Sequence, residues 1–218
     1  MGGEGGRGRQ AHVSKYDELC IKNEEFCIKN EEFCSLVEKP VGISEAEVAV
    51  MTAACAKNGV HFMDNVMFMH NERLAAIAEA IPTIGQVRRV TACAGFLAAS
   101  EFLSGDTRDI RTQASADPLG CLGDVGWYNI RTIMFANGWE MPKYVSAHAL
   151  DVNEEGVVLT MAGILGYDHS IATFDIGFDA PRAQLAEIVG TKATISWDGF
   201  IGPDDPSSCS FTVSFALK

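Results

Sequence analysis

Asp124 and Tyr128 stand four residues apart in Gly123-Asp124-Val125-Gly126-Trp127-Tyr128, so a helix there carries both on one face. A tyrosine has a reference pKa of about 10, too high for a base at neutral pH. A neighbouring ammonium lowers it by favouring the phenolate. A tyrosine so tuned can take the hydroxyl proton of an alcohol, the proton step that accompanies hydride loss from carbon. The cationic candidate is Lys39 in Glu38-Lys39-Pro40, and Arg111 in Asp109-Ile110-Arg111 reads as a surface arginine in a loop. Each also has an ordinary structural use. Lysine before proline suits a solvated loop, tyrosine suits the rim of a core, and aspartate near a helix start suits a cap or the helix dipole. His61 reads as the structural start of a strand. His70 has no visible partner, and Trp127 reads as packing.

Two other patterns imitate chemistry. Cys20, Cys27 and Cys34 recur every seven residues because Cys20-Ile21-Lys22-Asn23-Glu24-Glu25-Phe26 is duplicated in residues 27–33. On a helix two turns separate such thiols, too far for one ion, so a helix face is expected and no metal. Gly3-Glu4-Gly5-Gly6-Arg7-Gly8 has the G-x-G-x-x-G form. No apolar strand precedes it and no acidic ribose partner follows, so it is not read as a dinucleotide fingerprint.

The chain of 218 residues carries a net charge of -12. Such a surface repels phosphate and argues against nucleic acid. No apolar run approaches the ~20 residues of a membrane span, and residues 1–10 lack the apolar core of a secretory signal. The seven cysteines are odd in number and form no C-x-x-C pair, which fits a reduced, cytoplasmic setting.

Positioning these residues requires a particular order of elements. Residues 1–19 are polar and Gly-rich and read as disordered, with the duplicated segment as a helix, so 1–33 form one N-terminal region. Residues 35–37 end a short strand before Pro40. Ser44-Glu45-Ala46-Glu47 is a capping box, opening a helix with Val48, Met51, Thr52 and Cys55 on one face and a stop at Asn58-Gly59. A strand at 60–63 completes a βαβ unit over 35–66. A helix is expected from Asn71 to Ile81 and a boundary near residue 82. Beyond it come a strand around Val87, Val90 and Ala92, a helix over Leu119–Ala136, and strands at 143–150, 156–165, 170–178, 182–189, 192–197 and 209–216. That second block is α+β and rich in antiparallel pairing.

Glu38-Lys39-Pro40, the helix and strand after it, the stretch from Gly59 to His70, and Asp124-Val125-Gly126-Trp127-Tyr128 come in an order that resembles the Gfo/Idh/MocA oxidoreductases, over residues 34 to 218. The D-x-G-x-Y form resembles the dihydrodiol dehydrogenase and uncharacterised plant-type branches. The resemblance implies α/β plus α+β architecture: a remnant of a Rossmann βαβ unit at 34–82, lacking the front of the dinucleotide-binding half, then a C-terminal domain at 83–218 with an open, mostly antiparallel sheet. It implies hydride transfer between NAD or NADP and a sugar, polyol or dihydrodiol. Lys39 and Tyr128 would be the catalytic pair and Asp124 would orient the substrate or the lysine. Glu38, Lys39, Pro40 and Arg111 would line the cofactor, with the Lys39–Pro40 bond cis. A homodimer through the C-terminal sheet is the implied partner. The alternative expectation is a non-catalytic remnant or oligomerisation module that no longer binds cofactor.

Overall fold

The computed structural model describes residues 34–105, 108–202 and 209–215. The Gly3–Gly8 string and the duplicated heptapeptide lie outside the described residues. The chain divides into two compact units, one ending at Val66 and one beginning at Met67.

In the first unit, β1 (Cys34–Val37), α1 (Glu45–Lys57) and β2 (His61–Asp64) form the expected βαβ arrangement, with β1 and β2 parallel. Ser44 caps α1, its hydroxyl accepting from the Glu47 amide at 3.3 Å. The Glu47 carboxylate reaches back one residue further than a capping box requires and accepts from the Ile43 amide at 2.8 Å. Met51 and Cys55 are buried, and Cys55 packs with Val60, Ala54 and Phe62. Gly59 ends the helix at φ 67°, the left-handed conformation glycine adopts freely.

The second unit begins before the boundary expected near residue 82. α2 (Glu72–Ala80) belongs to it because the buried Arg73 guanidinium donates to the carbonyls of Asp198, at 3.0 Å, and Gly199, at 2.8 Å. After α2 come β3 (Val87–Leu97), the single-turn α3 (Ser100–Leu103), a π turn (Leu122–Gly126) running into α4 (Trp127–Ala136), and six strands. These are β4 (Tyr144–Val152), β5 (Val158–Gly166), β6 (Ile171–Gly177), β7 (Asp179–Gly190), β8 (Ala193–Asp198) and β9 (Thr212–Phe215). The seven strands form one sheet in the order β4-β5-β6-β3-β7-β8-β9, antiparallel throughout except for β3 with β6.

Strand alternation sorts this sheet into two faces. Val90, Ala92 and Ala94 of β3, Phe174 and Ile176 of β6, Ile188 of β7, and Ile195 and Trp197 of β8 are buried on the covered face. Each large aliphatic there contributes roughly 1.5–3 kcal/mol. α4 lies against β3 and β6. Gly126 permits that approach, since a Cβ on it would sit 2.8 Å from Ile176 Cδ1. Thr91, Cys93, Thr173 and Asp175 point to the opposite face.

Candidate functional site

The expected helix over 119–136 is not uniform. Leu122–Gly126 winds as a π turn and only Trp127–Ala136 is α-helical. Such wider turns shift the side chains that follow. Asp124 sits inside the turn and Tyr128 in the first turn of α4, and both are buried, each 7% exposed.

A buried carboxylate needs a partner, and Arg111 supplies it, its Nε donating to Asp124 Oδ1 at 3.0 Å. Arg111 is held in turn by Asp109, whose Oδ1 accepts both the Arg111 amide and Nη1 at 3.0 Å. Burial alone would lower the guanidinium, but Asp124 and then Asp109 outweigh it and hold its pKa above the ordinary value. Arg111 thus serves the motif carboxylate. The sequence alone allows a contact with cofactor or substrate, or a surface loop. Asp109 is the clamp of this pair, and the signal available for it in the sequence is an aspartate whose side chain can accept from the main-chain amide two residues on.

Tyr128 packs edge-to-face against Phe68, ring centres 5.9 Å apart, and Phe68 likewise meets Phe200 at 6.3 Å. Met67–His70 forms a 3-10 turn that buries Phe68 and leaves His70 exposed. His61 opens β2, and Trp127 is half-buried.

Glu38, Lys39 and Pro40 lie in the first unit, directly after β1. The Lys39–Pro40 bond is cis. Asn65, whose amide donates to the Val37 carbonyl at 2.8 Å, also donates its side-chain amide to the Glu38 carboxylate. Pro40 is buried and Lys39 half-buried. The structure therefore brings Asp124 and Arg111 into contact, with Tyr128 on the next turn, and places Lys39 with Glu38 and Pro40 in the other unit.

A dinucleotide's phosphates commonly sit at a helix N-terminus, and the βαβ unit offers one at the start of α1. There the Ser44 hydroxyl accepts from the Glu47 amide, the Glu47 carboxylate accepts from the Ile43 amide just ahead of the helix, and the first turn carries Glu45 and Glu47. Two carboxylates there repel a pyrophosphate, so this helix start does not fit the group. Among the described residues no group of three or more His, Cys, Asp or Glu is placed to hold a metal, and no helix is long and apolar enough to cross a membrane.

Cys93, Cys121 and Cys209 are free thiols. Cys121, in the turn before Asp124, has its pKa pushed up to about 12, first by burial and then by Asp124 and Asp179. Below the ordinary thiol value of about 8.5, Cys121 is neutral folded or unfolded and pH has no leverage through it. Above that value the unfolded thiol ionises and the folded one does not, so stability falls as pH rises toward about 12. The expected result is that iodoacetamide at pH 8 labels Cys121 only after unfolding. Rapid labelling of the native protein, read by mass spectrometry, would contradict this environment.

No protein-family model matches the sequence. Solved structures do. An inositol dehydrogenase homolog from Azotobacter vinelandii, complexed with NAD+, matches at a TM-score of 0.74 and 12% identity over 85% of this chain and 49% of its own. A 3-ketoreductase from Actinomadura kijaniata, in complex with NADP and TDP-benzene, gives 0.67 and 18% over 88% and 62%. Aldose-aldose oxidoreductase from Caulobacter crescentus, complexed with glycerol, gives 0.67 and 20% over 79% and 51%. The chain spans from about half to just over three fifths of the length of these proteins. At such identities the likeness is one of fold, and the chain has the fold of the Gfo/Idh/MocA-type oxidoreductases.

Proposed function

We propose that the protein is an NAD(P)-dependent oxidoreductase acting on a sugar, polyol or dihydrodiol. The observation that carries this reading is the buried Asp124, held by the part-exposed Arg111 one turn ahead of the buried Tyr128, on a fold shared with solved oxidoreductases, some with NAD or NADP bound. NAD or NADP, when bound, would exchange the hydride with substrate carbon.

The chain's own residues would do the rest. Tyr128 would take or give the proton of the substrate hydroxyl. Lys39 would hold the same oxygen and favour the phenolate. Asp124, fixed by Arg111, would orient a substrate hydroxyl by accepting from it. Glu38, Lys39, Pro40 and Arg111 would form the wall beside the nicotinamide. The proposed partner is a second copy through the large sheet, and the proposed setting is the cytoplasm.

A second reading is favoured by the start of α1, where Glu45 and Glu47 put two carboxylates at the helix N-terminus. It makes the chain a non-catalytic oligomerisation module. Calorimetry with NADH and NADPH separates the two. Micromolar binding supports the enzyme, and Tyr128→Phe and Lys39→Ala should then each lower turnover of an oxidisable sugar or polyol by roughly 10²- to 10⁴-fold with cofactor affinity kept in Tyr128→Phe. No heat at millimolar cofactor would leave the module reading.

A further inference from the structure

We propose that Asn153 and Glu155, in the turn between β4 and β5, are positioning residues that hold Arg111 against Asp124. Their part in a reaction rests on the oxidoreductase reading above, in which Asp124 orients the substrate. The hold itself is a property of the fold.

Arg111 lies on residues 108–117, whose regular structure is one 3-10 turn, Ile110–Thr112. Outside a ladder, main-chain groups find partners one by one, and those partners fix the path of the chain. Asp109 grips Arg111 from within the same segment, so it shapes the arginine without anchoring the segment. The Asp109 amide donates to the Phe102 carbonyl at 3.1 Å, still close in sequence. The turn between β4 and β5 ties the segment to the large sheet. The Asn153 side-chain amide donates to the Thr112 carbonyl at 2.7 Å. The Glu155 carboxylate accepts from the Ala114 amide at 2.9 Å and pairs with the Arg108 guanidinium. These contacts bracket Arg111, at residue 108 before it and at 112 and 114 after it. Thr112 is completely buried, so its carbonyl has no water to turn to if Asn153 withdraws.

The turn is built to bear this. Asn153 Oδ1 accepts from the Glu155 and Val157 amides, each at 3.0 Å, and the Asn153 main-chain amide donates to the Val157 carbonyl at 3.0 Å. One side chain thus shapes the turn with its oxygen and grips the segment with its nitrogen. Asn153→Asp separates the two uses. It keeps the oxygen and sets a second carboxylate oxygen against the Thr112 carbonyl.

The test follows the Arg111 Nε–H proton of the full chain by nitrogen-15 NMR. Bonded to Asp124 at 3.0 Å, it should exchange slowly with water. Asn153→Asp should speed that exchange about fivefold, the weight of one ordinary hydrogen bond, while the Val157 amide keeps its protection. Glu155→Ala should speed it likewise and decides the question if Asn153→Asp fails to fold. Where calorimetry finds micromolar cofactor binding, Asn153→Asp should also lower turnover of the oxidised sugar or polyol with cofactor affinity unchanged, and should lower it no further in an Arg111→Met background. An additional fall in that background overturns positioning through Arg111. Unchanged Arg111 exchange in both turn variants overturns the proposal and leaves Asp109 and Asp124 sufficient to hold the guanidinium. Faster exchange in a chain that binds neither cofactor supports the hold and removes the oxidoreductase reading alone.

Discussion

Gly120→Ala is expected to lower the melting temperature by about 10 °C, a loss of about 3 kcal/mol for a chain of this size. Gly120 has φ +57°, and a Cβ there would press into the Val158 carbonyl and lie 2.6 Å from Val157 Cγ1. The left-handed backbone alone costs an alanine roughly 1–2 kcal/mol. Overpacking against a main-chain oxygen that cannot rotate away adds roughly 1–3 kcal/mol. Gly156 is the control, with φ +84° and nothing within 4 Å of a built Cβ. Gly156→Ala should bear the conformational cost alone and shift the midpoint by about 3 °C. Calorimetric scans of the two variants decide it, and equal midpoints would show that β5 makes room at Gly120. The position matters for the site as well, since the Gly120 carbonyl accepts from the Asp124 amide at 3.0 Å. A shift at residue 120 moves the carboxylate that Arg111 holds.

Local periodicity made much of this fold readable. The alternation in Ala193-Thr194-Ile195-Ser196-Trp197 and in Ile171–Gly177 is the burial pattern of half-covered strands, and β6 and β8 fall within a residue or two of the expected spans. The Ser44 cap and the Asn58-Gly59 stop likewise act within one turn of chain, and α1 obeys both. Strand order is different. β3 lies between β6 and β7, parallel to one and antiparallel to the other, through pairings that join residues far apart in sequence. No local pattern encodes that choice.

The candidate site was legible to a similar depth. Asp124 and Tyr128 could be read as sharing a face, and both are buried together. The π turn around Asp124 could not, because Gly123-Asp124-Val125-Gly126 suits several windings and the packing of Gly126 on Ile176 is tertiary. Arg111 could be noticed, but its double clamp depends on a loop folding back from Asp109. The unit boundary escaped for the same reason. The residue that ties α2 to the second unit is an arginine, a type almost never fully buried unless paired.

That arginine yields the other large expected effect. Arg73→Leu should cost about 3 kcal/mol or more, although leucine fills much of the same space. Arg73 is 6% exposed, and its guanidinium donates to three main-chain carbonyls: Asp198 at 3.0 Å, Gly199 at 2.8 Å and Ser210 at 3.4 Å. Its place on α2 does not account for it, since it follows the Asn71 cap by two residues, where a cation opposes the helix dipole. What accounts for it is the end of β8, where the chain leaves the sheet and its carbonyls lose their ladder partners. Charge-assisted bonds are worth roughly 1.5–3 kcal/mol each, and apolar replacement leaves their acceptors unmet. Arg73→Lys keeps the charge without the planar fork and should recover part of the loss. Hydrogen exchange locates the effect. The Gly199 amide, bonded to the Gln184 carbonyl at 2.8 Å, should exchange faster in Arg73→Leu while amides in the middle of β3 keep their protection. A loss under about 1 kcal/mol, with Gly199 unchanged, would mean that water serves these carbonyls as well as the guanidinium does. Arg73 would then be a tolerated charge, and the hold of α2 on the second unit would rest on Leu74 and Ile77, the apolar residues buried beside it.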